Sequence, residues 1–453
     1  MPDRHRAQGV GSRPTLKSTA LENSSPSAPP PPWPHEDYET VAERAGGACY
    51  ALLLSERRWV HRRIETISLL SHELAHRSVS VDFTLPEPFR GWLKLPRRDE
   101  WLVPVSTLRK HPLRNFDLRD ETAHAVPLVE RSANGLIAHQ VLLTAARAAL
   151  ATEGMTDVSD ELSGHLFEAA TSSDVDAETA VAEMLMAAES EQQEYQVFLE
   201  NDRCRFLLST LAANFLAMAQ LRDVKHRRIL KYAFDHELER RKVPGPWELL
   251  GWQPFGVETE IPAASHAQSY HVEIEIPEEL SIDGSAIIDE DSLEIYAVDG
   301  ETDRASLYAS RVPIGVSPVL YFAIRAERVG FPAMAAAVAW ITAVILGIGA
   351  IFGDLSSFGA GPAISILLAG SALFAGAVVS TGEHRLVQAR FLIPRLLLAL
   401  SASSALIAGA ALAFQLCNAV DTIWDVSALI AAVVAAILSV TLIRAATTTP
   451  LKA

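Results

Sequence analysis

The sequence predicts an α+β protein in which two duplicated β-rich modules flank a helical insertion and a four-helix transmembrane bundle follows. Three observations carry this reading. Apolar residues gather in four long runs after Gly330, while the charge lies almost entirely before it. Period-two alternation, the mark of a half-buried strand, recurs on both sides of residues 131–225. Those alternating stretches also echo each other in sequence. At 453 residues the chain is too long for one ordinary compact domain. The expected units are a tail (1–38), a first β-rich module (39–130), an acidic helical insertion (131–225), a second β-rich module (226–329) and four transmembrane helices (330–453).

The tail carries no apolar stretch of signal-peptide length. Its Ser24–Pro34 segment, SSPSAPPPPWP, cannot bury a core and reads as disordered. Cys49, Cys204 and Cys417 lie far apart and form no CxxC pair, which fits a reducing compartment and excludes a thiolate zinc site. The net charge of -16 belongs to the region before the apolar runs and repels phosphate backbones, so nucleic acid is not an expected partner.

The echo begins at His61–Ile64 and His226–Ile229, both HRRI. Each is followed at nearly the same distance by His-Glu-Leu, at His72–Leu74 and His236–Leu238. Downstream, Val79, Val81, Phe83 and Leu85 alternate with polar residues, as do Tyr270, Val272, Ile274 and Ile276. Asp120-Glu121-Thr122 then separates Phe116–Leu118 from Ala125–Leu128, and Gly300-Glu301-Thr302 separates Ile295–Val298 from Ala305–Tyr308, each reading as a hairpin. Strands at equivalent places in two similarly folded units are the expectation. Between them, Ser132 is placed as the cap of a helix burying Leu136, Ile137, Val141 and Leu142, and Ser173/Asp174 as the start of another. Glu153–Asp202 holds many acids and no Lys or Arg, the pattern of a solvated face.

The apolar runs, near Phe331–Phe352, Gly361–Thr381, Leu396–Leu416 and Val426–Ile443, each approach the ~20 residues that cross a bilayer core. Arg325 and Arg328 precede the first run, Arg385, Arg390 and Arg395 separate the second from the third, and Arg444 follows the fourth. The other two loops carry only Asp354, Asp421 and Asp425. By the positive-inside rule both termini are cytosolic, in a multi-pass protein of the plasma (inner) membrane. Small residues at fourfold spacing (Ser401, Ala405 and Gly409; Ala428, Ala432 and Ala436) permit close helix packing, inside the bundle or with a second copy. The run interiors hold no acids or bases, which disfavours a transport path.

One motif points to catalysis. His72-Glu73-Leu74-Ala75-His76 matches HExxH, which on a helix sets two imidazoles on one face for zinc, with Glu73 beside them as general base. Against it, alternation starts within about three residues of His76, no HxxGxxH continuation follows, and the second copy reads HELER, with Arg240 opposite His76.

The stretch Trp101–Leu142, centred on VPVSTLRKHPLRNFDLRDETAHAVPL, and the segment SYHVEIEIPEEL resemble uncharacterised membrane proteins of high-GC bacteria over most of the chain after Tyr38. The resemblance implies the same plan, a cytosolic region followed by C-terminal helices, and no activity. The leading expectation is therefore a membrane-anchored cytosolic binding or scaffolding protein with no catalytic residues, cofactor or metal. Arg109, Lys110, Arg114 and Arg119 are expected to face anionic lipid or an acidic partner. The alternative is a membrane-tethered zinc metallopeptidase with His72 and His76 as ligands and Glu73 as the base.

Overall fold

The computed structural model describes residues 35–444 apart from 72, 97, 111–112, 156, 239–244, 291, 300–303, 311, 314–315, 317, 328–329, 353–360, 380–383 and 415–419. Helix α1 (His35–Leu54) and the single turn α2 (Glu56–Trp59) lead into a hairpin of β1 (Val60–Leu69) and β2 (Leu74–Phe83). Helix α3 (Glu87–Leu93) precedes β3 (Trp101–Arg109) and β4 (Arg114–Asp120). A helical stretch follows: α4 (Arg131–Thr152), α5 (Asp160–Thr171), α6 (Asp174–Glu189), α7 (Gln193–Glu200) and α8 (Asp202–Ala213). Next come β5 (Asn214–Leu221), β6 (Arg228–Glu237), α9 (Pro246–Leu249), β7 (Phe255–Glu260), a 3-10 turn at Pro262–His266, and β8 (Ser269–Glu275). Strands β9 (Leu280–Asp289), β10 (Ile295–Asp299), β11 (Arg304–Ser310) and β12 (Pro318–Ala326) complete the sheets. The chain then runs through α10 (Phe331–Phe352), α11 (Gly361–Val379), α12 (Arg385–Arg390), α13 (Leu392–Ala413) and α14 (Val420–Arg444). The α+β class, with β-rich parts on either side of a helical segment, is as expected.

Six strands form one sheet in the order β11-β8-β1-β2-β6-β4, four form a second in the order β10-β9-β12-β7, and β3 pairs with β5 as a ribbon. Alternation and register put one set of apolar side chains on one face of the large sheet. They include Leu307, Val272, Ile274, Ile67, Val79, Val81, Leu230 and Leu118, all buried. That face is covered by two different layers. The β11-β8 side joins Val257, Leu320 and Phe322 of the four-stranded sheet in one apolar core. The β2-β6-β4 side joins α1, α4 and the β3-β5 ribbon in another. Each large apolar side chain so buried contributes ~1.5–3 kcal/mol, which fixes the register. In the second core α1 and α4 meet closely: a Cβ on Gly46 would sit 2.3 Å from Gln140 Cβ.

The echoed stretches are strands, and Val81, Phe83, Val272 and Ile274 are buried. Their arrangement differs from two separate units. The two HRRI copies enter β1 and β6, which run parallel on either side of β2. Arg63 and Leu230 both pair with Val81, so the copies lie two residues out of the register that the motif implies. Tyr270–Glu275 belongs to β8 and pairs with β1, in the same sheet. Repetition of a period-two pattern reports only that each stretch needs one buried face, and one sheet meets that need for all of them. Asp120–Thr122 is a turn, with Val126 N–H donating to Leu118 O at 2.9 Å. The 300–302 turn lies outside the described residues, and the runs flanking it enter different sheets, β10 and β11. Ser132 lies inside α4 rather than capping it, since the N-cap position falls on Glu130. Ile137, Val141 and Leu142 are buried as expected, and α6 starts at Asp174 behind Ser173.

At the C-terminal end, α10, α13 and α14 are long and apolar enough to cross a bilayer, and α11 adds 19 residues of apolar sequence. Helix α4 also reaches span length but is built into the core with α1 and α8, so its apolar surface is already covered. The third expected run starts earlier, at Leu392, taking Pro394 into the first turn, where its missing N–H costs nothing. The fourth starts at Val420 and carries the exposed Asp421 and Asp425. Helices α10 and α14 pack antiparallel: Trp340 Nε1 donates to Ser439 Oγ and Trp424 Nε1 to Leu346 O, both at 2.7 Å. A Cβ on Gly349 would fall 2.4 Å from the Trp424 ring, so glycine is what admits the indole. Trp252 Nε1 donates to Thr441 Oγ1 at 2.9 Å, with Arg444 over its ring and Trp247 stacked on it. The end of α14 therefore meets the same sheet-bearing region that runs into α10. Of the small-residue stripes, Ser401, Ala405 and Gly409 lie inside the bundle, whereas Ala432 and Ala436 face outward.

Substitution of Ile274 or Phe83 by Asp is expected to destabilise the sheet region by at least about 3 kcal/mol, because each charge would enter a filled core. Asp82→Ala and Glu273→Ala, which remove side chains from the opposite face, should leave unfolding near wild type. Urea unfolding of the detergent-solubilised protein, followed by tryptophan fluorescence, distinguishes the two sets.

Candidate functional site: a cleft at the seam of two cores

Within the HExxH segment the described residues, 73–76, form no helix. Leu70 and Ser71 N–H groups both donate to Leu74 O, closing the hairpin between β1 and β2, and His76 lies on β2 opposite Ser68. Alternation on both sides of the motif sets the local structure, so the four-residue spacing has no helical face to act on. His72 lies outside the described residues. Glu73 is exposed at the turn, where its carbonyl accepts from Leu238 N–H at 2.9 Å. His76 Nδ1 lies 2.8 Å from Asp235 Oδ1; this contact, together with Asn115 Nδ2 at 2.5 Å, holds the Asp235 carboxyl below its usual range against the effect of burial. The second His-Glu-Leu copy ends β6 directly across from the first, with His236 opposite Ala75. Among the described residues no three His, Cys, Asp or Glu side chains group as metal ligands.

The four cations expected to form a basic surface each have a partner. Arg109 pairs with Glu260 at 2.6 Å, Arg114 with Glu237 at 3.4 Å and Arg119 with Asp117 at 2.6 Å. Lys110 is buried and donates to Ala169 O at 2.7 Å, and burial pulls its ammonium down to about 8.

A different set of charges stands out in the structure. Along β1 the inward positions read Arg63, Glu65, Ile67, Leu69, so two charges occupy the phase that elsewhere fills the cores. Arg63 is 3% and Glu65 2% exposed. They sit where the cover of the large sheet changes from one layer to the other. Arg63 Nη2 donates to the Tyr232 hydroxyl and, at 3.1 Å, to Ser106 Oγ. Tyr232 in turn donates to Ser106 at 3.0 Å. Glu65 pairs with Arg77 and accepts from the Tyr270 hydroxyl at 2.7 Å. Burial would lower the Arg63 pKa, but Tyr232, Glu65, Glu56 and Tyr270 together outweigh it and hold the guanidinium charged. Burial first, then the Glu65 charge, drives the Tyr270 hydroxyl well above its ordinary value, so it stays a donor. Arg63 Nε remains buried without an acceptor.

The seam opens to solvent. Arg63 and Ser106 line a cavity of about 10 Å³, one water site, whose other walls include Leu53, Glu56 and His266. Those last three residues also line a cleft of about 470 Å³ at the end of α1, α2, the start of α8 and the 3-10 turn. The size is that of a small-molecule site. The cleft wall carries Arg57, Arg58, Arg203 and His266. Glu56 and Asp202 are its acids, engaged with His266 at 3.0 Å and Arg205 at 2.5 Å. Arg57 Nε donates to Ser265 O at 2.7 Å, while its Nη2 is buried with no acceptor, and burial lowers its pKa. Leu54 and Phe206 supply an apolar side, Phe206 standing edge-on to His266. Sequence reading singled out none of these residues. Charges on the inward phase of β1 were the available signal.

Replacing Glu65 by Leu is expected to destabilise the fold by about 3–5 kcal/mol, since Arg77 would lose its ion pair and the buried Arg63 a nearby counter-charge. The Glu65→Leu/Arg77→Leu pair should cost less than the sum of its single variants when unfolding is measured in urea; additive losses would show that the groups act independently.

Neither a protein-family model nor a curated protein sequence matches this chain, so its functional reading rests on the geometry of the seam and cleft.

Proposed function

We propose that the protein is a membrane-anchored cytosolic binding protein, non-catalytic and without metal or cofactor, whose ligand occupies the seam cleft. The observation that supports this is a formed cleft of about 470 Å³ whose wall carries Arg57, Arg58, Arg203 and His266. Cationic side chains gathered around an opening of that size suit an anionic ligand. The Arg57 backbone is anchored by the packed ends of α1 and β1, a mounting suited to holding a ligand rather than to moving. The lipid bilayer is the other partner, and the outward small residues of α14 suit contact with a second copy. The net charge of -16 argues against nucleic acid as a partner. What weighs against the zinc-peptidase alternative is that His76 sits on a strand, not a helix.

The membrane in this reading is the plasma (inner) membrane, with both termini cytosolic. The Arg-bearing loops support it, and the antiparallel packing of α10 on α14 fits a start of α10 and an end of α14 on one side of the bilayer.

Two measurements test the reading. Elemental analysis of the purified protein should find no stoichiometric zinc, in wild type and Glu73→Ala alike. One zinc per chain, lost in His72→Ala and His76→Ala, would make the peptidase the better account. Reporter fusions after Asp354 or Asp421 should signal from outside, and fusions after Arg385 or at the C-terminus from the cytosol. A cytosolic signal at Asp421 would overturn the four-crossing topology.

A further inference from the structure

We infer that the cleft binds a phosphate-bearing small molecule from the aqueous phase, its phosphate held by Arg57, Arg58 and Arg203 and its body laid against Leu54 and Phe206. This rests on the binding-protein reading and names the ligand class. The charge balance of the wall carries the inference. Three guanidinium groups and His266 line it, and both acids are already engaged, Glu56 by His266 and Asp202 by Arg205. An excess of cation is unexpected on a chain of net charge -16 unless something anionic completes it. Guanidinium groups suit planar, paired hydrogen bonding to oxyanions, and a phosphate monoester offers three acceptor oxygens and up to two charges where a carboxylate offers two oxygens and one. Arg58 and Arg203 are exposed, whereas Arg57 is partly buried with one nitrogen lacking an acceptor. Arg58 and Arg203 therefore present donors to the cleft, and Arg57 adds its charge beside them. The apolar side formed by Leu54 and Phe206 then favours a phosphate carried on a flat or apolar body over the bare ion.

The location argues against a lipid headgroup. The 3-10 turn bearing Ser265 and His266 begins beside the Pro318 end of β12, where Ile261 N–H donates to Pro318 O at 3.0 Å. Strand β12 runs from there to Ala326 and into α10, so the cleft lies at the far end of that strand, about 26 Å along it from the first apolar helix.

Isothermal titration of the full chain in a phosphate-free detergent tests this, with adenosine monophosphate and inorganic phosphate as probes and succinate at matched ionic strength as the carboxylate control. Saturable binding of both phosphates is expected, tighter for the nucleotide. Arg203→Gln and Arg57→Gln should each weaken it by at least about tenfold. Arg203 is exposed, so its replacement should leave the unfolding temperature unchanged and keep the test valid if Arg57→Gln folds poorly. Absence of saturation with either probe, equal binding of succinate, or unchanged affinity in Arg203→Gln would each overturn the proposal. Displacement of the nucleotide by short-chain phosphatidic acid at lower concentration than by inorganic phosphate would reassign the site to lipid headgroups and overturn the aqueous source. Failure to bind these probes by a zinc-free protein counts against this inference alone, whereas stoichiometric zinc counts against the binding-protein reading whatever the probes do.

Discussion

A six-stranded sheet with one buried face needs a cover as wide as itself, and here no single layer supplies it. The four-stranded sheet covers one side, and the α1/α4 helices with the β3-β5 ribbon cover the other. Where two covers meet over one face, side chains cannot all be apolar and close-packed, because backbone ends from both layers converge there. Arg63, Glu65, Arg77, Tyr232 and Tyr270 fill that seam. Removing water from such charges is costly, and here it is offset in part by the Glu65–Arg77 pair and the hydrogen bonds of Arg63, Tyr232 and Tyr270. The rest of the sheet-bearing region depends on this line of contacts, which lies between the two cores.

The cleft is a consequence of the same junction. The ends of α1 and α8 and the turn at Pro262–His266 approach the seam from both covers without closing over it. The residues at this opening come from stretches more than 200 positions apart, such as Arg57 and Ser265, which meet through a direct hydrogen bond. A ligand at that point would touch both layers at once, so binding there would be sensitive to how the two cores sit on the sheet.

The membrane bundle is attached through the second core, which continues from Ile274 and Phe322 into Phe331, Ala335 and Leu438. Trp252 against Thr441 adds a polar contact at the same C-terminal end of α14. Tryptophan, with a large apolar body and one N–H, suits such a boundary between apolar helix and aqueous region. The sheet-bearing region is thereby fixed to both α10 and α14, rather than to a single stalk.

The amino-acid sequence by itself determined what depends on local composition and period. The four apolar runs are legible because a bilayer asks only for length and hydrophobicity, and the observed helices begin and end close to the runs. The strands at Val79–Phe83 and Tyr270–Glu275 are legible because alternation is a local property, and the buried phase at Val81 and Ile274 follows from it. What the tertiary structure alone decided is which strands share a sheet. Hydrogen-bonded pairing between strands leaves no trace in either strand's own pattern, so an echo at HRRI could be taken for two modules when both copies flank β2 in one. The same holds for the HExxH motif: its spacing is local, whereas the described residues Glu73 and His76 fall on a turn and on β2 rather than on a helix. The seam is the furthest from the sequence. Arg63 and Glu65 are charges in a core phase, and only the meeting of two covering layers over β1 makes that placement stable.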